Sequence, residues 1–212
     1  PSRFVWWARE VILRVPDFQR AYRCAPDDVA HLVDSVLHRY PIGNLVLALR
    51  PAYVDTLRIA HLTVSAPEVS TAYWVVDGHQ RIVSLVGALT AKGDSGGPRF
   101  RVFYDLGADT VLPLAPGESP GEDWLPVSRL LSPAEVMFWI KERPHLTGTQ
   151  IDRAGRAVAA IRDNTISAYM VTADGDEALR QMFTRANATG RVLTRDEARN
   201  AEPSLPEKVK GP

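Results

Sequence analysis

The sequence predicts an α+β protein, and three observations carry that prediction. Short runs of strand type recur through the first half, Tyr73–Val76 being the clearest. Two stretches there have helical spacing, one of them opening directly after Tyr73–Val76. From Ser132 onward helical patterns dominate, broken by one further strand. Together they give a small mixed sheet with flanking helices and a helical C-terminal part.

The elements follow in order. REVILRVPDF (9–18) reads as a strand stopped by Pro16. APDDVAHLVDSVLHRY (25–40) reads as a helix, with Pro26 suited to its first turn. Asp27 and Asp28 favour its positive end, and Val29, Leu32, Val33, Val36 and Leu37 share a face. NLVLAL (44–49) and LRIAHLTV (57–64) are predicted strands, followed by Tyr73–Val76 and a helix with Ile82, Leu85, Val86 and Leu89 at i, i+3, i+4 and i+7. Residues 92–98 read as a loop, RFRVFYDL (99–106) as a strand and PLAPGESPGED (113–123) as a second loop. SPAEVMFWIKER (132–143) carries Ser132 as N-cap and Pro133 at N1, and TQIDRAGRAVAAIRDN (149–164) follows as another helix. TISAYMV (165–171) is a strand, and DEALRQMFTRANATG (176–190) a helix that Gly190 can terminate. These patterns divide the chain into a core at 1–130, a helical part at 131–201 completing the same domain, and a Pro-rich tail at 202–212.

Composition bounds the function classes. The 212 residues are 45% hydrophobic and 24% charged, enough for one substantial core. Lys+Arg and Asp+Glu balance at 25 each, so no global field advertises nucleic acid or membrane. The only lysines are Lys92, Lys141, Lys208 and Lys210, which leaves the positive charge mostly to arginine. Arginine suits phosphate recognition, although GC-rich coding gives the same bias. A single Cys24 allows no internal disulfide and fits a reducing cytoplasm. No apolar run approaches the ~20 residues of a membrane helix, and no signal peptide is visible. An opening on Pro1 without methionine reads as a piece of a longer protein.

The chemistry concentrates on the strand-to-helix joint Asp77-Gly78-His79-Gln80-Arg81. A helix N-terminus leaves its first N–H groups unpaired and carries about half a positive charge, so it attracts anions. Gly78 lets backbone approach closely where a Cβ would obstruct. Arg81 in the first turn can fork two phosphate oxygens, and Gln80 can donate to phosphate or orient water. Asp77 can cap the helix or hold a metal ion. The plainer reading, with Asp77 as N-cap and Arg81 as a surface ion-pair partner, stands beside it.

Two further stretches share this chemistry. In VPDFQRAYR (15–23), Gln19, Arg20, Tyr22 and Arg23 follow a strand end and can meet phosphate or base edges, or form a polar turn with Tyr22 packed inside. In FTRANATGRVLT (183–194), Arg185, Asn187, Thr189, Gly190 and Arg191 surround a helix end, where Asn187 or Gly190 can equally serve as a C-cap.

In this order the stretches PDFQRAYRC, RYPIGNLVLA, VVDGHQR and FTRANATGRVLT resemble one family over roughly Val15 to Ala198. It is the DGQQR-motif domain that heads GmrSD-type and SspE-like modification-dependent restriction and antiphage defence proteins, a domain of ParB/sulfiredoxin-like fold. Two positions depart from the family pattern: Cys24 stands where a tryptophan is usual, and His79 replaces the first glutamine of the core motif. An imidazole there can still donate to phosphate, more strongly when protonated. A related regulator family of DNA phosphorothioation carries an Asp-Gly-Gln-His-Arg form.

The resemblance implies binding and hydrolysis of a nucleoside triphosphate, GTP foremost, with turnover coupled to sensing modified double-stranded DNA such as phosphorothioate DNA. In that reading Asp77 positions Mg²⁺ or the attacking water, Gly78 and His79 cradle phosphate, and Gln80 and Arg81 stabilise the transferring group. Gln19, Arg20, Tyr22 and Arg23 line the same cleft or touch DNA, while Asn187, Thr189 and Gly190 close the pocket. The one Gly-Lys-like stretch, AKGDSGGP (91–98), lacks P-loop spacing, so hydrolysis would use a non-P-loop site. The competing class is a non-hydrolysing ParB-like DNA-binding module or a regulator of DNA modification. None of His31, His38, His61, His79 and His145 has the local pattern of a His-Asn-His nuclease, which places the expected nuclease domain beyond this chain.

Overall fold

The computed structural model describes residues 1–10, 12–16, 21–93, 96–173 and 175–188, apart from the side chains of Asp176, Asn187 and Ala188. It confirms the α+β class. A four-stranded sheet is built from β1 (Leu13–Arg14), β5 (Val69–Asp77), β2 (Leu45–Ala52) and β9 (Ala168–Thr172), in that spatial order. The β1–β5 and β2–β9 pairs are parallel and β2–β5 is antiparallel. The C-terminal part thus contributes an edge strand to the central sheet.

Period-2 alternation gives this sheet two apolar faces. Leu45, Leu47 and Val75 enter the larger core, while Val46, Ala48 and Val76 turn to the opposite face. That second face is covered by α6 (Asp176–Ala188) through Leu179, Met182 and Phe183. On the first face α3 (His79–Thr90) is buried along Ile82–Thr90 without a gap. The sequence marks one apolar stripe on this helix. The structure surrounds it with α1 (Ser2–Arg9), α2 (Pro26–Leu37), the hairpin of β3 (Asp55–Ile59) and β4 (Leu62–Ala66), and short 3-10 turns at 98–100 and 127–131. A helix apolar all round belongs in such a central place. Its two polar exceptions are satisfied: Ser84 Oγ donates to Gln80 O and Thr90 Oγ1 to Val86 O. Gly87 is required by packing, since a Cβ there would lie 2.3 Å from the Phe100 ring.

A second, antiparallel sheet of β7 (Thr110–Pro113), β6 (Val102–Asp105) and β8 (Trp124–Pro126) packs beside α2. Two helices complete the fold. The first, α4 (Pro133–Lys141), is capped by Ser132, whose hydroxyl accepts from Glu135 N. The second, α5 (Gly148–Asp163), is held by a Thr147/Gln150 capping box.

Several local expectations are corrected. The strand expected over 9–18 is reduced among the described residues to Leu13–Arg14, and Arg9 belongs to a helix that the sequence reading did not anticipate. LRIAHLTV is no single strand: it folds back at Ala60, a residue at φ +54°, into the β3–β4 hairpin. The strand expected at 99–106 begins only at Val102, after a 3-10 turn, and β7 and β8 flank the expected loop. No described helix is long and apolar enough to cross a membrane.

Candidate functional site

The strand-to-helix joint is built around two glycines. Gly78 adopts φ +94° between β5 and α3, and a Cβ on it would sit 2.1 Å from Leu45 Cδ2. Only glycine fits both the backbone and the space. Gly43, in the Tyr40–Gly43 turn before β2, has φ +81° and lies under Arg81, whose Nη1 would be 2.4 Å from a Cβ there. Arg81 explains why the two motifs occur together. Its Nη1 donates to Ile42 O at 2.9 Å and its Nη2 to Asp77 Oδ2 at 3.1 Å, so one guanidinium joins the turn, the strand end and the helix start. The pair is partly exposed, which limits it to about 0–1 kcal/mol as an ion pair. Its geometric role is the larger one.

Asp77 is therefore not the helix cap. Gly78 is the N-cap residue, and among the described residues no side chain bonds the first N–H groups of α3. The second Asp77 oxygen takes no hydrogen bond from a described residue.

Gln80 is engaged at both ends. Its Oε1 accepts from Arg23 N at 2.9 Å and its Nε2 donates to Ala21 O at 3.1 Å, clipping residues 21–23 onto the helix start. Tyr22, between them, pairs its hydroxyl with Ser84 Oγ at 2.8 Å and packs its ring on Phe100. Burial pushes this phenol up to about 12, so it stays protonated at neutral pH. The Arg23 side chain is exposed.

His79 faces elsewhere, into an open cleft of about 480 Å³ lined also by Arg14, Tyr22, Asp55 and Arg58. Burial lowers the pKa of His79, which keeps the ring neutral at neutral pH, and its Nδ1 is buried without a partner. Asp77, Gln80 and Arg81 are not among the lining residues. Across the cleft, Arg14 of β1 is 1% exposed. Its Nη2 donates to Pro67 O at 2.9 Å, and its Nε has no partner. Arg14 and Arg58 escaped the sequence reading. The available signal was an arginine between Leu13 and Val15, inside a run otherwise fit for a core.

Gln19, Arg20, Thr189 and Gly190 lie outside the described residues, as does the side chain of Asn187. The backbone of Asn187 is in the last turn of α6, on the sheet face opposite α3. Among the described residues no group of three or more His, Cys, Asp or Glu is placed to hold a metal ion. A single carboxylate such as Asp77 suits Mg²⁺ only as an ion held mainly by phosphate and water.

No curated protein matches the chain. The joint at 77–81, the Tyr40–Gly43 turn bolted to it and the segment clipped over it lie within one family match covering residues 8–202, nearly the whole sequence. By that match the chain belongs to the family described as the N-terminal domain of GmrSD restriction endonucleases, a restriction-related defence family.

Proposed function

We propose that this domain binds a nucleoside triphosphate, GTP foremost, and hydrolyses it with Mg²⁺, and that modified DNA such as phosphorothioate DNA stimulates the turnover. The observation that carries the reading is the cleft beside the motif. It has room for a nucleotide, and two of the residues that line it, His79 and Arg14, each bury a ring or guanidinium nitrogen (Nδ1 and Nε) without a partner. A buried donor without a partner calls for a ligand, an ion or water.

In this reading the uncapped N-terminus of α3 faces the phosphates with its free N–H groups. His79 binds through its ring. The free oxygen of Asp77 would help to hold Mg²⁺, whose chemistry would be to neutralise charge developing on the phosphate. Arg81 and Gln80 act by fixing the turn and the 21–23 segment. Their own contact with the transferring group would require Arg81 to leave Asp77 and Ile42.

That last requirement favours a second reading: a ParB-like module that binds DNA under nucleotide control without turnover. Asp77, Gln80 and Arg81 are all occupied in holding the fold, which suits a binding site better than a catalytic one. The experiment is phosphate release with each of four nucleoside triphosphates and Mg²⁺, with and without phosphorothioate DNA, alongside equilibrium binding. Turnover that DNA raises supports the first reading. Binding without turnover selects the second, and neither binding nor turnover removes both.

A further inference from the structure

We infer that Arg14 and Arg58 form the anion-binding pole of the cleft and take the polyphosphate of its ligand, while Arg81 is a positioning residue. The inference rests on the nucleotide reading for the identity of the ligand but not for the charge of the site. Arg14 is almost fully buried, and no ion pair among the described residues gives it a carboxylate. Asp55 acts on it only through the electrostatic field, while burial works against its charge. A guanidinium does not escape that cost by losing its proton in a protein. Buried charges are ordinarily paired, so an unpaired one on a cleft wall marks the place of an anion.

Arg58 supplies the second cation by strand geometry. On β3 the buried Leu57 and Ile59 alternate with the exposed Thr56 and Arg58, and the latter two both line the cleft. Arg58 makes no hydrogen bond or ion pair with any described residue. With His79 neutral, Arg14 and Arg58 against Asp55 leave the described residues of the lining with a net positive charge, on a protein whose overall charge is zero. Arg81, the arginine that the motif suggests, does not reach this lining, since its two terminal nitrogens are given to Asp77 and Ile42. Two planar forks in one cleft lining, from β1 and from β3, suit the successive oxygens of a polyphosphate better than a single point charge would.

The test is calorimetric titration of the whole chain with inorganic tripolyphosphate and, separately, with GTP. It compares the wild type with Arg58→Ala, Arg14→Lys and Arg14→Met, and uses Arg129→Ala in a different cleft as control. We expect Arg58→Ala to weaken both ligands roughly tenfold or more, the usual loss for a charge-assisted contact, with an unchanged melting temperature because the side chain is exposed. Arg14→Lys should weaken both in the same direction, and Arg129→Ala neither. Should Arg14→Met fail to fold, Arg58→Ala and Arg14→Lys still decide. GTP binding that ignores both arginines overturns the pole and leaves the nucleotide reading standing. Tripolyphosphate binding that depends on Arg58, without any nucleotide binding, supports the pole and removes the nucleotide. Binding of neither ligand removes both.

Discussion

Replacing Gly78 by alanine tests whether the joint between β5 and α3 is as tight as its geometry indicates. Two separate costs arise. The left-handed backbone at φ +94° penalises any Cβ by about 1–2 kcal/mol. The new methyl would also sit 2.1 Å from Leu45 Cδ2, and Leu45 is buried in the core at the start of β2. Overpacking of this kind costs about 1–3 kcal/mol. The sum is about 2–5 kcal/mol, which for a domain of this size lowers the melting temperature by roughly 4–20 °C. Gly117→Ala is the matched control: its φ is +84°, yet no atom lies within 4 Å of a Cβ there, so it bears the backbone cost alone. Thermal unfolding followed by circular dichroism should show the Gly78 variant losing clearly more than the Gly117 variant. In a Leu45→Ala background the excess should shrink by about 0.5–3 kcal/mol, the range for residues in contact. Equal shifts for the two glycine variants, or no coupling to Leu45, would refute the reasoning and leave the motif glycine without a packing role.

The other predictions concern the groups around that joint. Gln80→Leu removes both bonds to the 21–23 backbone, so trypsin should cut after Arg23 faster than in the wild type; an unchanged rate would deny the clip. His61 and His79 both have pKa values lowered by burial, so the unfolded chain takes up protons that the folded protein resists. Their contribution to stability is present above the unfolded value of ~6.5 and is lost as pH falls below it. His79→Gln should therefore lose less stability than the wild type between pH 7 and 5, measured by denaturant unfolding. Ligand affinity carries the opposite sign: if a bound phosphate stabilises the protonated ring, wild-type affinity should rise on acidification and the variant's should not. Plasmid DNA incubated with this chain and Mg²⁺ or Mn²⁺ should remain supercoiled, and nicking abolished by a point mutation in the chain would overturn the assignment of cleavage to another domain.

Much of the fold was legible because its signals were local. The proline-led start of α2, the Ser132-capped start of α4 and the glycine-driven joint at Asp77–Gly78 depend on neighbouring residues, and they stand where the sequence places them. What was not legible depended on partners distant in the chain. Ala60 reverses LRIAHLTV into a hairpin at positive φ although it carries no turn signature, because Leu57, Ile59, Leu62 and Val64 then reach the shared core. The uniform burial of α3 is likewise set by elements on every side of it, which no periodicity within the helix could report. The candidate site divides in the same way. The motif residues were found by type and spacing, but their division of labour was not. Gln80 looks outward in the sequence and turns out to hold Ala21 and Arg23, while Arg14 looks like an intruder in a strand and turns out to line the cleft.

That division changes what a loss-of-function experiment can mean in this family. Asp77 and Arg81 are joined to each other across one turn of helix, and Arg81 also holds the carbonyl of Ile42. Removing Arg81 frees the Tyr40–Gly43 turn from the helix start and removing Asp77 takes away the guanidinium's second anchor, so activity would fall whether or not the residue touches phosphate. A dead Asp77→Ala or Arg81→Ala variant is therefore expected under a structural role and under a catalytic one. The distinction lies in how the loss is divided. If Arg81 only positions the turn, Arg81→Lys should weaken ligand binding and stability together, because a lysine cannot bridge Ile42 O and Asp77 with a planar fork. If it stabilises the transferring group, the loss should fall on the turnover rate while ligand affinity and melting temperature stay close to wild type. Arg58 lacks that ambiguity. It is exposed, it lines the cleft and its side chain bonds no described residue, so an effect of its substitution on ligand affinity reports on the ligand itself.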